Sequence, residues 1–325
     1  MSKKVKILVK ILLFVAIYIL VQVILKFVLL DDTMTISRVM MHDMYSSKDN
    51  IDVLFCGASH CQLGFNTEVL DQELGCNTFN AGSSSQGLET SLALIREVAQ
   101  KNSVDHVYVD LDYSIVTRTA PNLESIYIIS DYMRPSVKKF SYLLNATDFD
   151  YYFNSFMPFH MNRGYIKNPK DVIGNIKKKI SPGYYNYEEI DESYGGKGYI
   201  ASQLEADENS LVLFDERIVI GELTEEQIRR ITDIIDYCRK ESIELTFVNL
   251  PITEFYMNQI DDYSNFENQI RRITDQYGVE YWDFNTLEGA FPTDNLQYFN
   301  DDNHLNVKGS TYFAHIFSEL AGNAG

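Results

Sequence analysis

Three polar side chains stand out by type and spacing: Ser59, Asp301 and His304. Ser59 follows the apolar run Val53-Leu54-Phe55-Cys56 and the small pair Gly57-Ala58. That pattern predicts a short strand buried on both faces, a sharp turn, and a serine where the chain enters a helix. The hydroxyl would then lie above the carboxyl end of the strand, where open α/β sheets hold ligands. Helix N–H groups and the positive end of the dipole would lie beside it, which suits a developing oxyanion. Serine is also a favoured helix N-cap, and taken alone Ser59 reads as one. His304 changes that balance. It lies three residues after Asp301, just ahead of a C-terminal helical stretch. A nucleophilic serine needs a base for its proton, and a carboxylate that fixes the imidazole tautomer and stabilises the imidazolium. The chemistry implied is acyl transfer through a covalent serine intermediate.

The elements that would carry these residues alternate along the chain. Strands are expected at Val53–Cys56, Cys76–Phe79, Asp105–Leu111, Ile243–Leu250 and Val279–Phe284. Helices are expected at Leu63–Leu74, Leu88–Lys101, from Thr224 (a capping box with Gln227), Phe266–Tyr277 and Val307–Ala321. This rhythm gives a parallel, doubly wound sheet.

The order of a first serine followed by a C-terminal Asp-x-x-His resembles the SGNH/GDSL-type hydrolases. The resemblance implies an α/β, three-layer, flavodoxin-like parallel sheet, with Ser59 as nucleophile, His304 as base and Asp301, rather than the adjacent Asp302, as orienting acid. Asn80-Ala81-Gly82 looks like the family's second block, which implies that the Gly82 amide joins that of Ser59 in the oxyanion hole. Ser83, Ser84 and Ser85 then contact substrate hydroxyls or cap the next helix. His60 is a candidate lining residue, although adjacent side chains in a turn usually diverge.

The third block departs from the family. Where Gly-x-Asn-Asp is usual, this chain has Asp110-Leu111-Asp112-Tyr113 and no asparagine. A carboxylate donates no hydrogen bond unless protonated, and loss of one oxyanion donor costs about 100- to 1,000-fold in rate. Asp112 is kept as a candidate substrate contact. The departure resembles the DltD-like and alginate-acetylation-like branch, which implies cell-envelope polymer acylation, usually alongside a membrane-bound O-acyltransferase.

Composition sets limits. The chain has 325 residues and a formal charge of −18, which argues against nucleic acid as partner. Its apolar fraction of 45% is enough for a sizeable core. Lys3, Lys4, Lys6 and Lys10 precede the apolar stretch Ile11–Leu30, and Asp31-Asp32 follow it. Roughly 20 apolar residues cross a bilayer. The charge asymmetry orients the N-terminus to the cytoplasm and the rest outward. No Ala-x-Ala site follows, so an uncleaved anchor (1–31) is expected rather than a signal peptide. A connector (32–50) and the α/β domain (51–325) come next.

The four cysteines show no metal-ligand spacing and read as buried hydrophobes; no metal or cofactor is expected. A large insertion, about residues 114–223, carries the tyrosine-rich runs Tyr151-Tyr152-Phe153, Tyr184-Tyr185-Asn186-Tyr187 and Tyr194–Tyr199, and the basic patch Lys177-Lys178-Lys179. Long insertions over strand ends commonly shape substrate sites; ordinary aromatic packing is the plainer alternative. Arg118 and Arg134 are candidate contacts for an anionic polymer.

Two functions follow. The first is an anchored extracytoplasmic acyl-esterase or O-acyltransferase acting on envelope glycopolymers such as teichoic acid or exopolysaccharide. The second is a non-catalytic subunit of the same fold that binds polymer or acyl donor for a membrane-bound O-acyltransferase.

Overall fold

A computed structural model describes residues 2–29, 35–147, 168–185, 193–287 and 289–324. The chain divides into two compact units, Met1–Thr35 with Thr147–Ile190, and Ile36–Ala146 with Asp191–Gly325. The expected insertion is therefore shared between them.

In the first unit, α1 (Lys3–Leu29) is one apolar helix of 27 residues. At 1.5 Å per residue it extends ~40 Å, long enough to cross a bilayer. A later helix of this unit, Pro169–Ile180, starts with proline at its first position, where no N–H is needed. Its i,i+4 pair Asn175 and Lys179 faces α1 and donates to Val28 O (3.1 Å) and Phe27 O (2.8 Å). Lys179 is thus buried, and the Lys177–Lys179 patch is not a uniform basic surface. Tyr151, Tyr152, Phe153 and Tyr187 lie outside the described residues.

The second unit is built on five parallel strands: β1 (Val53–Cys56), β2 (Thr78–Asn80), β3 (His106–Asp110), β4 (Glu244–Asn249) and β5 (Glu280–Asp283). Their order is β2-β1-β3-β4-β5. The chain steps from β1 outward to β2, then crosses back over β1 to β3. With right-handed crossovers, this reversal puts helices on both faces and opens a crevice at the carboxyl ends of β1 and β3. One face carries α3 (Ser59–Gly64) and α4 (Thr67–Leu74), packed against the closing helix Val307–Ala324. The other carries α5 (Leu88–Val98) and the helix Glu225–Glu241, which begins with the expected capping box. Before them, α2 (Thr35–Ser46) buries Val39, Met40, Met41 and Met44.

The core under the first face is aromatic. Phe55 of β1 stacks on Phe65 with centroids 4.1 Å apart, and Phe317 of the closing helix meets both edge-on. This contact fixes the closing helix over β1, and with it the loop just upstream that carries Asp301 and His304.

Among the boundaries that differ from expectation, two have a clear local cause. The helix expected over Leu63–Leu74 is broken at Phe65-Asn66, because Asn66 caps α4 by accepting from the Val69 amide and Asn80 donates to the carbonyls of Cys61 (2.8 Å) and Phe65 (3.1 Å). A distant side chain thus takes over the carbonyls that a continuous helix would have used. The strand expected from Cys76 starts at Thr78, since Asp71 accepts from both the amide and the hydroxyl of Thr78 (2.7 Å each). All four cysteines are free.

Candidate active site

The turn after β1 is set by close packing. A Cβ on Gly57 would lie 2.6 Å from Asp110 Cβ and 2.8 Å from Cys61 Cβ, so only glycine lets β1 leave the sheet beside β3. Ala58, in extended conformation, caps α3. Ser59 is therefore the first helical residue rather than the cap, and its hydroxyl is left for another partner.

That partner is His304. Ser59 Oγ lies 2.7 Å from His304 Nε2, across 245 residues of sequence. On its other side, His304 Nδ1 lies 2.9 and 3.0 Å from the two carboxylate oxygens of Asp301. Asp301 Oδ1 also accepts from the amides of Asn303 (3.0 Å) and His304 (2.9 Å), and Oδ2 from Asn300 Nδ2 (2.8 Å). Burial opposes ionisation of Asp301, but the His304 bond and these donors outweigh it and hold its pKa at about 2. A carboxylate held this way fixes the Nδ1–H tautomer and leaves Nε2 as an acceptor for the serine proton.

Asp302 points elsewhere. Its Oδ2 accepts from the Val212 amide, and its carbonyl from Thr253. The loop is anchored further by Asn306, which donates to Gln297 O and Phe299 O and caps the closing helix through the amides of Lys308 and Gly309. The part of the insertion from Tyr194 to Val219 contributes here. Ala206 N donates to Phe299 O and Val307 N to Ser202 O, so this stretch buttresses the histidine loop. Its tyrosines are committed to packing: Tyr194 OH donates to Asp43, and Tyr199 OH pairs with Ser310 Oγ.

His60 does not diverge from the site. It is 8% exposed, its ring meets that of His304 edge to face with centroids 4.9 Å apart, and its Nδ1 lies 3.2 Å from Asp112 Oδ2. Burial disfavours its charged form, but the Asp112 carboxylate and the nearby Asp110 and Asp301 outweigh this and raise its pKa to about 9. Asp112, though buried, is correspondingly lowered by His60 and by the Ser114 amide and hydroxyl. Asp112 is thus paired within the protein rather than presented as a free substrate contact.

Asp110 is a further member that sequence reading passed over. It is 2% exposed, and neither carboxylate oxygen makes a hydrogen bond of good geometry. Burial raises its pKa to about 7 against the pull of His60. The signal was available: Asp110 and Asp112 are an i,i+2 pair at a strand end, the spacing that sends side chains to one face. A cavity of about 10 Å³, room for roughly one water, lies between these aspartates, His60, Tyr113 and Tyr263.

Other candidates sit differently from expectation. The Gly82 amide donates to Asn80 Oδ1 (2.9 Å), so it is bound within its own turn rather than open to an oxyanion. A Cβ there would fall 2.7 Å from the Gln62 amide, which explains the glycine by close packing against α3. Ser83 is fully buried and donates to Gln86 Oε1 (2.7 Å), closing the loop instead of meeting substrate. Arg118 donates to Ser85 O (2.8 Å) and so braces the same loop. Arg134 stacks on the Tyr45 ring (4.1 Å), and Tyr45 in turn donates to Glu97 in the last turn of α5. Since α5 starts at the carboxyl ends of the strands and runs away from them, Arg134 lies at the end opposite Ser59. Among the described residues no group of three or more His, Cys, Asp or Glu side chains is arranged to hold a metal ion.

No protein-family model and no curated protein matches this chain. Among solved structures it is similar to a Streptococcus pneumonia protein described as a "putative platelet activating factor" (13% identity, TM-score 0.43, covering 93% of this chain and 98% of that one). It is also similar to a "putative acylhydrolase" from Bacteroides fragilis (10% identity, TM-score 0.41, covering 86% and 89%).

Proposed function

We propose that this chain is a membrane-anchored, SGNH-like serine acyl-esterase or O-acyltransferase. The observation that carries the reading is the continuous contact from Ser59 Oγ to His304 Nε2 (2.7 Å) and from His304 Nδ1 to Asp301 (2.9 Å). In the reaction, Ser59 Oγ attacks the acyl carbonyl carbon while His304 Nε2 takes its proton. The tetrahedral intermediate collapses with loss of the alcohol, which receives that proton from His304. An acceptor hydroxyl or water, deprotonated by His304, then attacks the acyl-serine and restores Ser59. Asp301 stays ionised throughout, as its low pKa allows.

The lysines in the first turns of α1 and the aspartates after it support a cytoplasmic N-terminus and an extracytoplasmic site. Acylated envelope glycopolymers are the substrate class this placement favours, with a membrane-bound O-acyltransferase as partner. The second reading, a binding subunit without chemistry, is favoured by one observation: the Gly82 amide is already bonded to Asn80. Intact-mass analysis of the full chain in detergent after treatment with a fluorophosphonate separates the two. Labelling that disappears in Ser59→Ala and in His304→Ala supports the enzyme; a folded wild type that takes no label sinks it.

A further inference from the structure

An acyl-transfer site must stabilise the negative oxygen that develops on the attacked carbonyl, and donors preorganised for it are the largest single contribution such sites make. The first amides of α3 have no intrahelical acceptor, so Ser59 supplies one donor. The Gly82 amide is bonded to Asn80, and the carboxyl end of β3 offers Asp110 and Asp112, which are acceptors. The group with both the charge and the location to complete the site is the side chain after the nucleophile.

We infer that His60, held by Asp112 through Nδ1, is the side-chain donor that stabilises the oxyanion at Ser59, acting through its Nε2–H as an imidazolium. This rests on the acyl-transfer reading of Ser59, His304 and Asp301. Three observations carry it. The His60 and His304 rings meet edge to face at 4.9 Å with an interplanar angle of 72°, so His60 packs directly against the base of the nucleophile. Asp112 lies 3.2 Å from His60 Nδ1, which orients the ring and leaves Nε2 as its other polar atom. The pair is buried, with His60 8% and Asp112 7% exposed, so its field is weakly screened by solvent.

The protonation state decides the sign of the interaction. A neutral His60 with its proton on Nδ1, toward Asp112, would present a lone pair at Nε2 and repel an oxyanion. The imidazolium presents N–H on both sides. Four titratable groups face His60: Asp110 at the end of β3, Asp112 just after it, and Asp301 and His304 from the C-terminal loop. The three carboxyl groups each favour the charged ring. Tyr113 and Tyr263 also line the adjoining cavity. The Asp-x-Asp sequence that replaces the usual asparagine donor therefore acts by keeping a cationic donor in position.

The test measures kcat/KM for p-nitrophenyl acetate between pH 5 and 10.5, with the full chain in detergent. Wild type is compared with His60→Gln, His60→Leu/Asp112→Asn and Ser59→Ala, and folding is checked by thermal melts. The double variant removes both charges together, so Asp112 is not left as a buried carboxylate without its partner. The expected results are a Ser59-dependent rate in wild type that falls on the alkaline side near pH 9, and a loss of about 100- to 1,000-fold in the double variant. His60→Gln, which keeps an N–H but no charge, should lose less and lose the alkaline fall as well. A Ser59-dependent rate that stays level to pH 10.5, or a folded double variant within threefold of wild type, overturns the role of His60 and leaves the acyl-transfer reading standing. No Ser59-dependent rate in wild type overturns that reading, and this inference with it.

Discussion

Replacing Asp301 with asparagine tests the assignment of its role at the cost of one loop hydrogen bond, that from Asn300 Nδ2 to Oδ2. The new side-chain oxygen can still accept from the amides of Asn303 and His304, as Oδ1 does now at 3.0 and 2.9 Å. The new NH2 group takes the place of Oδ2, 3.0 Å from His304 Nδ1, and offers it a hydrogen bond that only an unprotonated Nδ1 can accept. The imidazole is driven to the Nε2–H tautomer, and its nitrogen toward Ser59 no longer has a lone pair for the hydroxyl proton. A loss of roughly 10⁴-fold in kcat is expected from such a tautomer error. The stability cost is smaller. Holding Asp301 at about 2 instead of 3.8 corresponds to roughly 2 kcal/mol in favour of the ionised form. The side chain is 34% exposed, so screening leaves ~1 kcal/mol. Because the folded pKa is depressed, this stability is present above pH ~4 and lost as the pH falls toward 2. Urea melts of wild type and Asp301→Asn should therefore differ at pH 7 and converge near pH 2. A folded Asp301→Asn enzyme with kcat within tenfold of wild type would refute the orienting role.

The remaining expectations concern the scaffold and the anchor. Gly309→Ala places a Cβ 1.9 Å from Tyr298 O, so the closing helix must back away from the loop that carries His304. A stability loss of about 1–3 kcal/mol is expected by thermal melt, together with slower fluorophosphonate labelling; an unchanged melt would show that the close approach is not required. Asp110→Asn should stabilise the fold at pH 8 and have little effect at pH 3. Burial raises this carboxyl from 3.8 to about 7, so it costs stability as pH rises through that window. The gain is on the order of 1–3 kcal/mol, and denaturant midpoints that move equally at both pH values would contradict it. Finally, the chain should remain in the membrane pellet after alkaline carbonate extraction, because α1 is apolar over a full bilayer width. Release into the supernatant would rule out a spanning anchor.

Much of this protein is written in short stretches of its sequence. The apolar run before Gly57, the capping box at Thr224 and the 3.6-residue spacing of Ile231, Ile234, Ile235 and Cys238 each specify their element from within a few residues. The strand and helix alternation, the apolar α1 and the position of Ser59 after the first strand were legible for the same reason. Asp301 and His304 belong with them, since the Asx-type turn that joins them is itself local. Tertiary structure decided the rest. Whether Gly82 offers its amide depends on Asn80, which Cys61 and Phe65 draw inward through their carbonyls. Arg134 lies at the end opposite Ser59 because Tyr45, 89 residues away, takes it. His60 turns toward His304 because a buried aspartate just beyond the end of β3 holds its charge. Periodicity and propensity act over one or two turns of chain. Charge pairing and close packing act through space, and it is these that determine which side chains meet at the carboxyl ends of β1 and β3.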